Sequence, residues 1–418
     1  MKEKRNPWFW VPTLYFAEGL PYVAIVTMSV VMYKNMGMSN TDIAFFTSWF
    51  YLPWVIKPLW SPIVDILKTK RWWITHTQLL MGLGFILIAL CLPTRFYIPA
   101  SILLFWILAF SSASHDIAAD GFYMLGLNKK EQSFFVGIRN TFYRIAMITG
   151  QGLLVYFAGT MEKRTDNVPL AWAMTFALLA VLLLSLWIYH KYMLPHPVSD
   201  KGKAHADIKS VLNGFGRTFA DFFSKKGAGA ALFFLLTYRF SEAQLLKLIQ
   251  PFMLDPVEKG GLGLETADVG LIYGVYGVIG LLLGGILGGI LISRGGLRKW
   301  LWPMMLIMLT TSVVFVYLAY AQPSNWYLIN LCVLIEQFGY GFGFTAFTVF
   351  MLYFAEGEHK TAFYAICTGF MALGMMLPGM AAGKIYEWLG GYQEFFIYVM
   401  ICSVIPIAGA IGIRKLRY

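Results

Sequence analysis

Ser114-His115-Asp116-Ile117-Ala118-Ala119-Asp120 sets two carboxylates and an imidazole inside a stretch that is otherwise apolar from about residue 102 to residue 125. On a helix, Asp116 and Asp120 stack on one face, one turn apart. Such groups can take up and release protons, or pair with basic side chains. Arg139 and Arg144 lie in the next apolar stretch and could meet them. A charge at membrane depth costs about 2.5–3.5 kcal/mol on insertion scales unless it faces a partner or water, so these residues mark a functional pathway.

Further charges sit in apolar stretches. Lys57, Arg139, Arg144, Arg239 and Lys247 are basic; Glu18, Asp116, Asp120, Glu242 and Glu336 are acidic. The two sets are equal in number, which permits pairwise neutralisation. Arg144 stands out because Asn140, Arg144, Met147 and Gln151 share a helical face. Its planar fork suits carboxylate or phosphate, and it is expected to pair with Asp116 or Asp120 when no anion is bound. Arg139 points about 140° away at helical pitch, so the two guanidinium groups do not face one ligand together. Glu18 and Glu242 look pseudo-equivalent, each followed by an expected helix breaker, Pro21 and Pro251, that would free backbone groups. A desolvated carboxylate takes up a proton more readily than a hydrated one. Glu18, Asp116, Asp120, Glu242 and Glu336 are therefore all candidate proton carriers.

These residues need membrane-spanning elements to hold them. The chain has 418 residues, 58% hydrophobic and 13% charged, against roughly 25% charged in soluble proteins. Twelve apolar spans are predicted, near 9–32, 43–63, 72–92, 98–124, 132–159, 169–191, 227–253, 267–292, 300–320, 326–353, 361–383 and 392–413, each close to the roughly 20 residues that cross a bilayer. Glu18 and Pro21 interrupt the first, and no small-residue cleavage site follows, so an uncleaved helix is expected. The net charge of +11 is concentrated in loops that fall on one side of a twelve-span arrangement. That bias puts both termini and the central loop in the cytoplasm and argues against nucleic acid as a partner. The bilayer is the expected macroscopic partner, and a monomer is expected.

The polar, basic stretch near 195–226 splits the spans six and six. The expected division is therefore 1–192 and 227–418, joined by a linker at 193–226 carrying a short amphipathic helix. The halves read as diverged repeats: the basic loop after the second span parallels the one after the eighth, and Phe122-Tyr123-Met124-Leu125 parallels Val349-Phe350-Met351-Leu352. Internal repeats with polar residues at mid-membrane are a mark of secondary transporters. The glycines at 280–289 and 339–343 lack a strand–turn–helix setting and read as packing positions. Cys91, Cys332, Cys367 and Cys402 have no metal-like spacing. His115 has no second histidine or cysteine at ligand spacing, so neither a metal nor a cofactor is expected. Trp60, with Trp49 and Trp54, could stack on a sugar ring.

Phe16-Ala17-Glu18-Gly19-Leu20-Pro21, the stretch from Lys57-Pro58-Leu59-Trp60 to Asp65, and His115 to Asp120 together resemble the anhydromuropeptide permease (AmpG) family. Tyr143-Arg144, Tyr238-Arg239 with Glu242, and Glu336 extend the likeness over nearly the whole chain. That family belongs to the peptide–acetyl-coenzyme A branch of the major facilitator superfamily. The resemblance implies an all-α polytopic membrane protein of twelve helices in a 6+6 pseudo-repeat. It also implies proton-coupled import of N-acetylglucosamine–anhydro-N-acetylmuramic acid, with or without peptide, across the bacterial inner membrane for cell-wall recycling. Carried over by position, Lys57, Asp116, Asp120, Arg144, Arg239, Glu242 and Glu336 would line a central cavity. Asn140, Gln151 and Trp60 join the basic residues as expected substrate contacts, and Asp65 with Arg71 as a gate. Glu18 and His115 depart from the commonest family pattern, where uncharged polar groups are expected, and this leaves room for another large anion such as a siderophore or acyl-coenzyme A. An enzyme using His115 as base and Asp116 as orienter is the reading from another class, but no nucleophile or metal set accompanies the pair.

Overall fold

Apolar stretches of this length have to satisfy their own backbone, and a helix does so within one segment. The computed structural model describes residues 5–197, 200, 208–357, 360–414 and 416, and among these there are helices and no strand. Among the described residues nine helices are long and apolar enough to cross a membrane, including Pro7–Asn35, Lys70–Cys91, Tyr97–Gly126, Val168–Met193 and Trp326–Phe354. Three further passages bring the series to the expected twelve. The second span is two helices, Asn40–Trp49 and Leu52–Leu67, and the seventh is Ala228–Thr237 followed by Phe240–Leu254. The fifth runs from Lys129 to Thr165 and opens on a charged first turn capped by Asn128 and Glu131. The linker is helical over Ile208–Ser224; the side chains of residues 208–215 lie outside the described set.

The chain forms two compact units, and each is discontinuous. One comprises Met1–Ser29 with Ile56–Phe215, the other Val30–Val55 with Gly216–Tyr418. Val30–Val55, which the sequence reading grouped with residues 1–192, therefore clusters with the C-terminal residues.

In the first unit the opening span lies against the fourth and fifth. Trp10 meets Phe122 edge-on at 5.2 Å. Gly19 allows spans one and five to touch, since a Cβ there would stand 2.8 Å from the Ala146 Cβ. Both spans then loosen into a wider helical turn, Ala24–Met28 after Pro21 and Ile148–Leu154 after Met147. Insertions of this kind recur beside functional sites. In the second unit, spans eight and ten approach so closely that a Cβ at Gly284 or Gly341 would strike the opposite backbone. The glycine runs are packing surfaces, as small residues between membrane helices usually are.

The second unit also holds a polar knot absent from the sequence reading. Lys34 Nζ lies 2.6 Å from Asp255 Oδ1. Tyr392 donates to Asp255 Oδ2 at 2.5 Å, and Asn40 donates to the Tyr392 hydroxyl at 2.8 Å. The turn between spans one and two is thereby tied to the ends of spans seven and twelve. Asp255→Asn leaves the Lys34 ammonium without its counter-charge. Because both side chains are largely shielded from solvent, 15% and 10% exposed, the expected loss is about 2–4 kcal/mol, between the surface and fully buried cases. Thermal unfolding in detergent checks this, and an unchanged midpoint would contradict it.

Candidate functional site

The first unit gathers the charges that the apolar spans carry. Lys57 Nζ sits 3.4 Å from Asp116 Oδ2. One turn along, Arg139 Nη1 sits 3.0 Å from Asp120 Oδ1. Tyr15 closes the second pair: its hydroxyl donates to Asp120 at 3.0 Å and accepts from Arg139 at 2.9 Å. The Arg139 guanidinium also lies over the rings of Tyr15 and Tyr123, 4.7 and 5.2 Å from their centroids. Aromatic faces stabilise a cation held over them.

Glu18 is the third carboxyl. Its Oε2 is buried and has no hydrogen-bond partner. One donor atom each from Glu18, His115 and Asp116 lies within 4.8 Å of the others. Chain spacing hid this cluster because Glu18 comes from a different span. The Lys57 ammonium beside Asp116 repels a second cation there, so the arrangement suits the sharing of a proton among neighbouring carboxyl and imidazole groups. Among the described residues, three carboxyls meet two paired cations in this cluster, and one added proton balances it.

Behind His115 runs a line of buried polar groups from spans one, three and six. His115 Nε2 is 3.0 Å from Gln78 Nε2, Gln78 Oε1 is 3.0 Å from His190 Nδ1, and His190 Nε2 is 3.0 Å from Thr13 Oγ1. Gln78 ends the run Thr75-His76-Thr77-Gln78 in span three and His190 adjoins Lys191 in span six, so their polarity was visible but their partners in other spans were not. A histidine or glutamine within an apolar span was the available signal.

The second unit carries a pair of its own at the break in span seven. Tyr238 is fully buried, stacked on Phe347 at 4.4 Å and bonded through its hydroxyl to the Gly343 carbonyl at 2.8 Å. With Tyr238 held to span ten, Arg239 leaves the helix at φ −104°, ψ 18°. Its fork then closes on Glu242, Nε to Oε2 at 3.0 Å and Nη2 to Oε1 at 2.7 Å. Tyr340 receives a further bond from Nη2 at 3.0 Å. Two parallel charge-assisted bonds of this kind fix orientation as well as charge. Glu336, 2% exposed, accepts from Gln337 at 2.8 Å. Lys247, 4% exposed, donates to Thr47 at 2.9 Å and lies over the Tyr51 ring.

Several expectations need correction. The carboxylates expected to meet Arg144 are paired with Lys57 and Arg139; Arg144 itself is half-buried and belongs to neither pair. The stripe Asn140–Gln151 holds its helical register only to Met147, because Gln151 falls in the widened turn Ile148–Leu154, and Asn140 is exposed. Pro251 does not break span seven; it stays in the last turn of Phe240–Leu254 while the break falls at Tyr238–Arg239. Trp60 lies against Phe110 at 5.4 Å. Arg71 bonds through Nη2 to the Lys191 carbonyl, while Asp200 caps the backbone N–H groups of Lys70 and Arg71 at 2.7 and 3.0 Å. The Asp65 side chain lies outside the described residues.

Buried, paired charges on interrupted membrane-spanning helices fit a membrane transporter, and the comparisons give the family. Residues 13–379 match the Major Facilitator Superfamily, and the chain belongs to that family. It is 27% identical over 406 residues to a Rickettsia conorii protein named as transporter AmpG 4, covering 94% of this chain and 92% of that one. The anhydromuropeptide permease of Escherichia coli K12 is 24% identical over 400 residues, 94% of this chain and 76% of the permease. Among solved structures, the nucleoside transporter NupG superposes with a TM-score of 0.71 at 18% identity, over 97% of this chain and 98% of NupG. That last likeness speaks for the fold alone. The protein is a multi-pass membrane transporter of this superfamily.

Proposed function

We propose that this transporter imports anhydromuropeptides, N-acetylglucosamine–anhydro-N-acetylmuramic acid with or without peptide, driven by a proton. In this reading it works as a monomer in the bacterial inner membrane with both termini in the cytoplasm, and the proton is its coupling ion. The observation that carries the reading is the alignment over 94% of the chain with a protein named anhydromuropeptide permease. The chemistry supports it. Such ligands present lactyl and peptide carboxylates, which suit a guanidinium group such as that of Arg144, and sugar rings, which suit aromatic faces. The surplus carboxyl in the Glu18–Asp116–Asp120 group offers a place for the driving proton.

Arg144 belongs to neither the Lys57–Asp116 nor the Arg139–Asp120 pair, and in this reading it meets the anion. Arg144→Ala is expected to abolish uptake of radiolabelled disaccharide by sealed vesicles at wild-type protein levels. Losing a charge-assisted contact of about 2–5 kcal/mol corresponds to a fall of roughly 30- to 5,000-fold, since each 1.36 kcal/mol is tenfold. Wild-type uptake by this variant would remove Arg144 from the substrate site, and uptake indifferent to an imposed pH gradient would defeat proton coupling.

A further inference from the structure

We propose that the cavity where the start of span three meets the end of span six binds an anionic glycerophospholipid, its phosphate between Arg71 and Lys191 and its acyl chains along the outer face of span three. The proposal does not depend on which solute the protein carries.

The two spans run antiparallel and pack closely. A Cβ at Gly82 would stand 2.5 Å from Leu184 Cδ2, and Phe85 stacks on Phe176 at 5.8 Å. Arg71, in the first turn of span three, bonds through Nη2 to the carbonyl of Lys191 in the last turn of span six. A cavity of about 480 Å³ opens between these ends, a size that small-ligand sites commonly have. Span three lines it with Arg71, Trp72 and His76, span six with Trp187 and Lys191, and the linker with Asp200. In the orientation proposed above, this end faces the cytoplasm.

Each span sets a basic side chain against an indole one turn away. Trp72 stacks on His76 with centroids 4.0 Å apart and planes 20° apart. The Lys191 ammonium lies 5.4 Å from the centroid of Trp187. Tryptophans at the ends of membrane helices sit at headgroup depth, which is where a lipid phosphate lies.

The charge balance of the cavity favours an anion. Asp200 is the one carboxylate lining it among the described residues. Both its oxygens are engaged, accepting from the backbone N–H groups of Lys70 and Arg71 at 2.7 and 3.0 Å, at the positive end of the helix dipole. Among the described residues, neither Arg71 nor Lys191 has a carboxylate in ion-pair contact. A guanidinium and an ammonium at one opening suit a phosphodiester. His76 donates from Nδ1 to the Trp72 carbonyl at 2.8 Å, so in its neutral form Nε2 is an acceptor, matched to a headgroup hydroxyl such as those of glycerol.

The surface below the cavity makes the ligand a lipid rather than free phosphate. His76, Leu80, Leu83, Leu87 and Leu90 follow at alternating spacings of four and three, and all are exposed. That spacing places them on one helical face, and an exposed leucine row on a membrane-spanning helix faces acyl chains. Ile188, three residues before Lys191, is exposed as well. A cationic, aromatic head above an apolar row has the polarity profile of a phospholipid, and basic pockets at the cytoplasmic ends of membrane helices hold anionic headgroups on the same grounds.

The test uses the purified full chain in mild detergent, stripped of lipid. Dioleoyl phosphatidylglycerol, dioleoyl phosphatidylcholine and inorganic phosphate are the probes. Native mass spectrometry reads bound lipid, and thermal unfolding reads stabilisation, which follows from binding to the folded state. Phosphatidylglycerol is expected to bind and to raise the unfolding midpoint, with phosphatidylcholine about tenfold weaker or more. Lys191→Gln, and separately Arg71→Gln on the other span, are each expected to weaken phosphatidylglycerol binding by about ten- to a hundredfold, the size of one lost charge-assisted contact. Either variant gives the reading if the other fails to fold. Lys299→Gln removes a lysine that likewise lies over an indole, Trp300, in the second unit, and is expected to bind as the wild type does. Equal binding of the two lipids, or wild-type binding by a folded Lys191→Gln or Arg71→Gln, would overturn the proposal. Displacement of phosphatidylglycerol by millimolar inorganic phosphate would overturn the lipid assignment and make this a site for a soluble anion.

Discussion

Arg239→Met is expected to be among the most destabilising single changes in the second unit. The substitution leaves Glu242, 6% exposed, without the fork that holds both its oxygens. Removing one partner of a buried ion pair costs about 3–5 kcal/mol because the other charge stays behind, whereas replacing both by apolar groups is often near neutral. The double variant Arg239→Met/Glu242→Leu should therefore regain most of the stability that the single variant loses. Thermal unfolding of the singles and the double in one detergent forms the cycle. A double variant as unstable as Arg239→Met would show that the cost lies in packing on Tyr340 and Phe344 rather than in the stranded carboxylate.

The second large effect is on transport. Lys57→Met deprives Asp116 of its cation and leaves three carboxyls facing one paired cation, Arg139. The expected result is a fall in initial uptake rate of about 100-fold or more, from a lost charge-pair contribution of roughly 3 kcal/mol. Lys57→Met/Asp116→Asn should restore folding and protein level without restoring uptake, because it removes a carboxyl of the cluster along with the cation. Rates normalised to protein in the membrane check this. Wild-type rates in either variant would show that the pair only braces spans two and four.

What the sequence disclosed and what it hid follow from the physics of each signal. Charges are so costly in apolar spans that Glu18, Lys57, Asp116, Asp120, Arg239, Glu242 and Glu336 could be picked out individually. The spans themselves were legible because each apolar stretch has the length of a bilayer crossing. Pairing was not legible. A helical projection ranks faces within one span, so it favoured Arg144, but it does not say which neighbour Asp120 meets; Tyr15 and Arg139 from two other spans settled that. Gln78 and His190 were passed over for the same reason, because their partners lie in other spans. The break at Tyr238–Arg239 carries no proline or glycine. It arises where Tyr238 is held to span ten and Arg239 turns to Glu242, while Pro251, the conspicuous breaker, stays inside the helix Phe240–Leu254.

The central claim is that the charged residues of these spans serve the movement of a muropeptide anion with a proton. Proteoliposomes of the purified chain, loaded with unlabelled N-acetylglucosamine–anhydro-N-acetylmuramic acid and diluted into a trace of labelled disaccharide, test it most directly by counterflow. The account predicts a transient accumulation of label inside, and net uptake into unloaded vesicles when the outside is made acidic. No accumulation of the disaccharide, while a siderophore or an acyl-coenzyme A gives counterflow in the same vesicles, would contradict it.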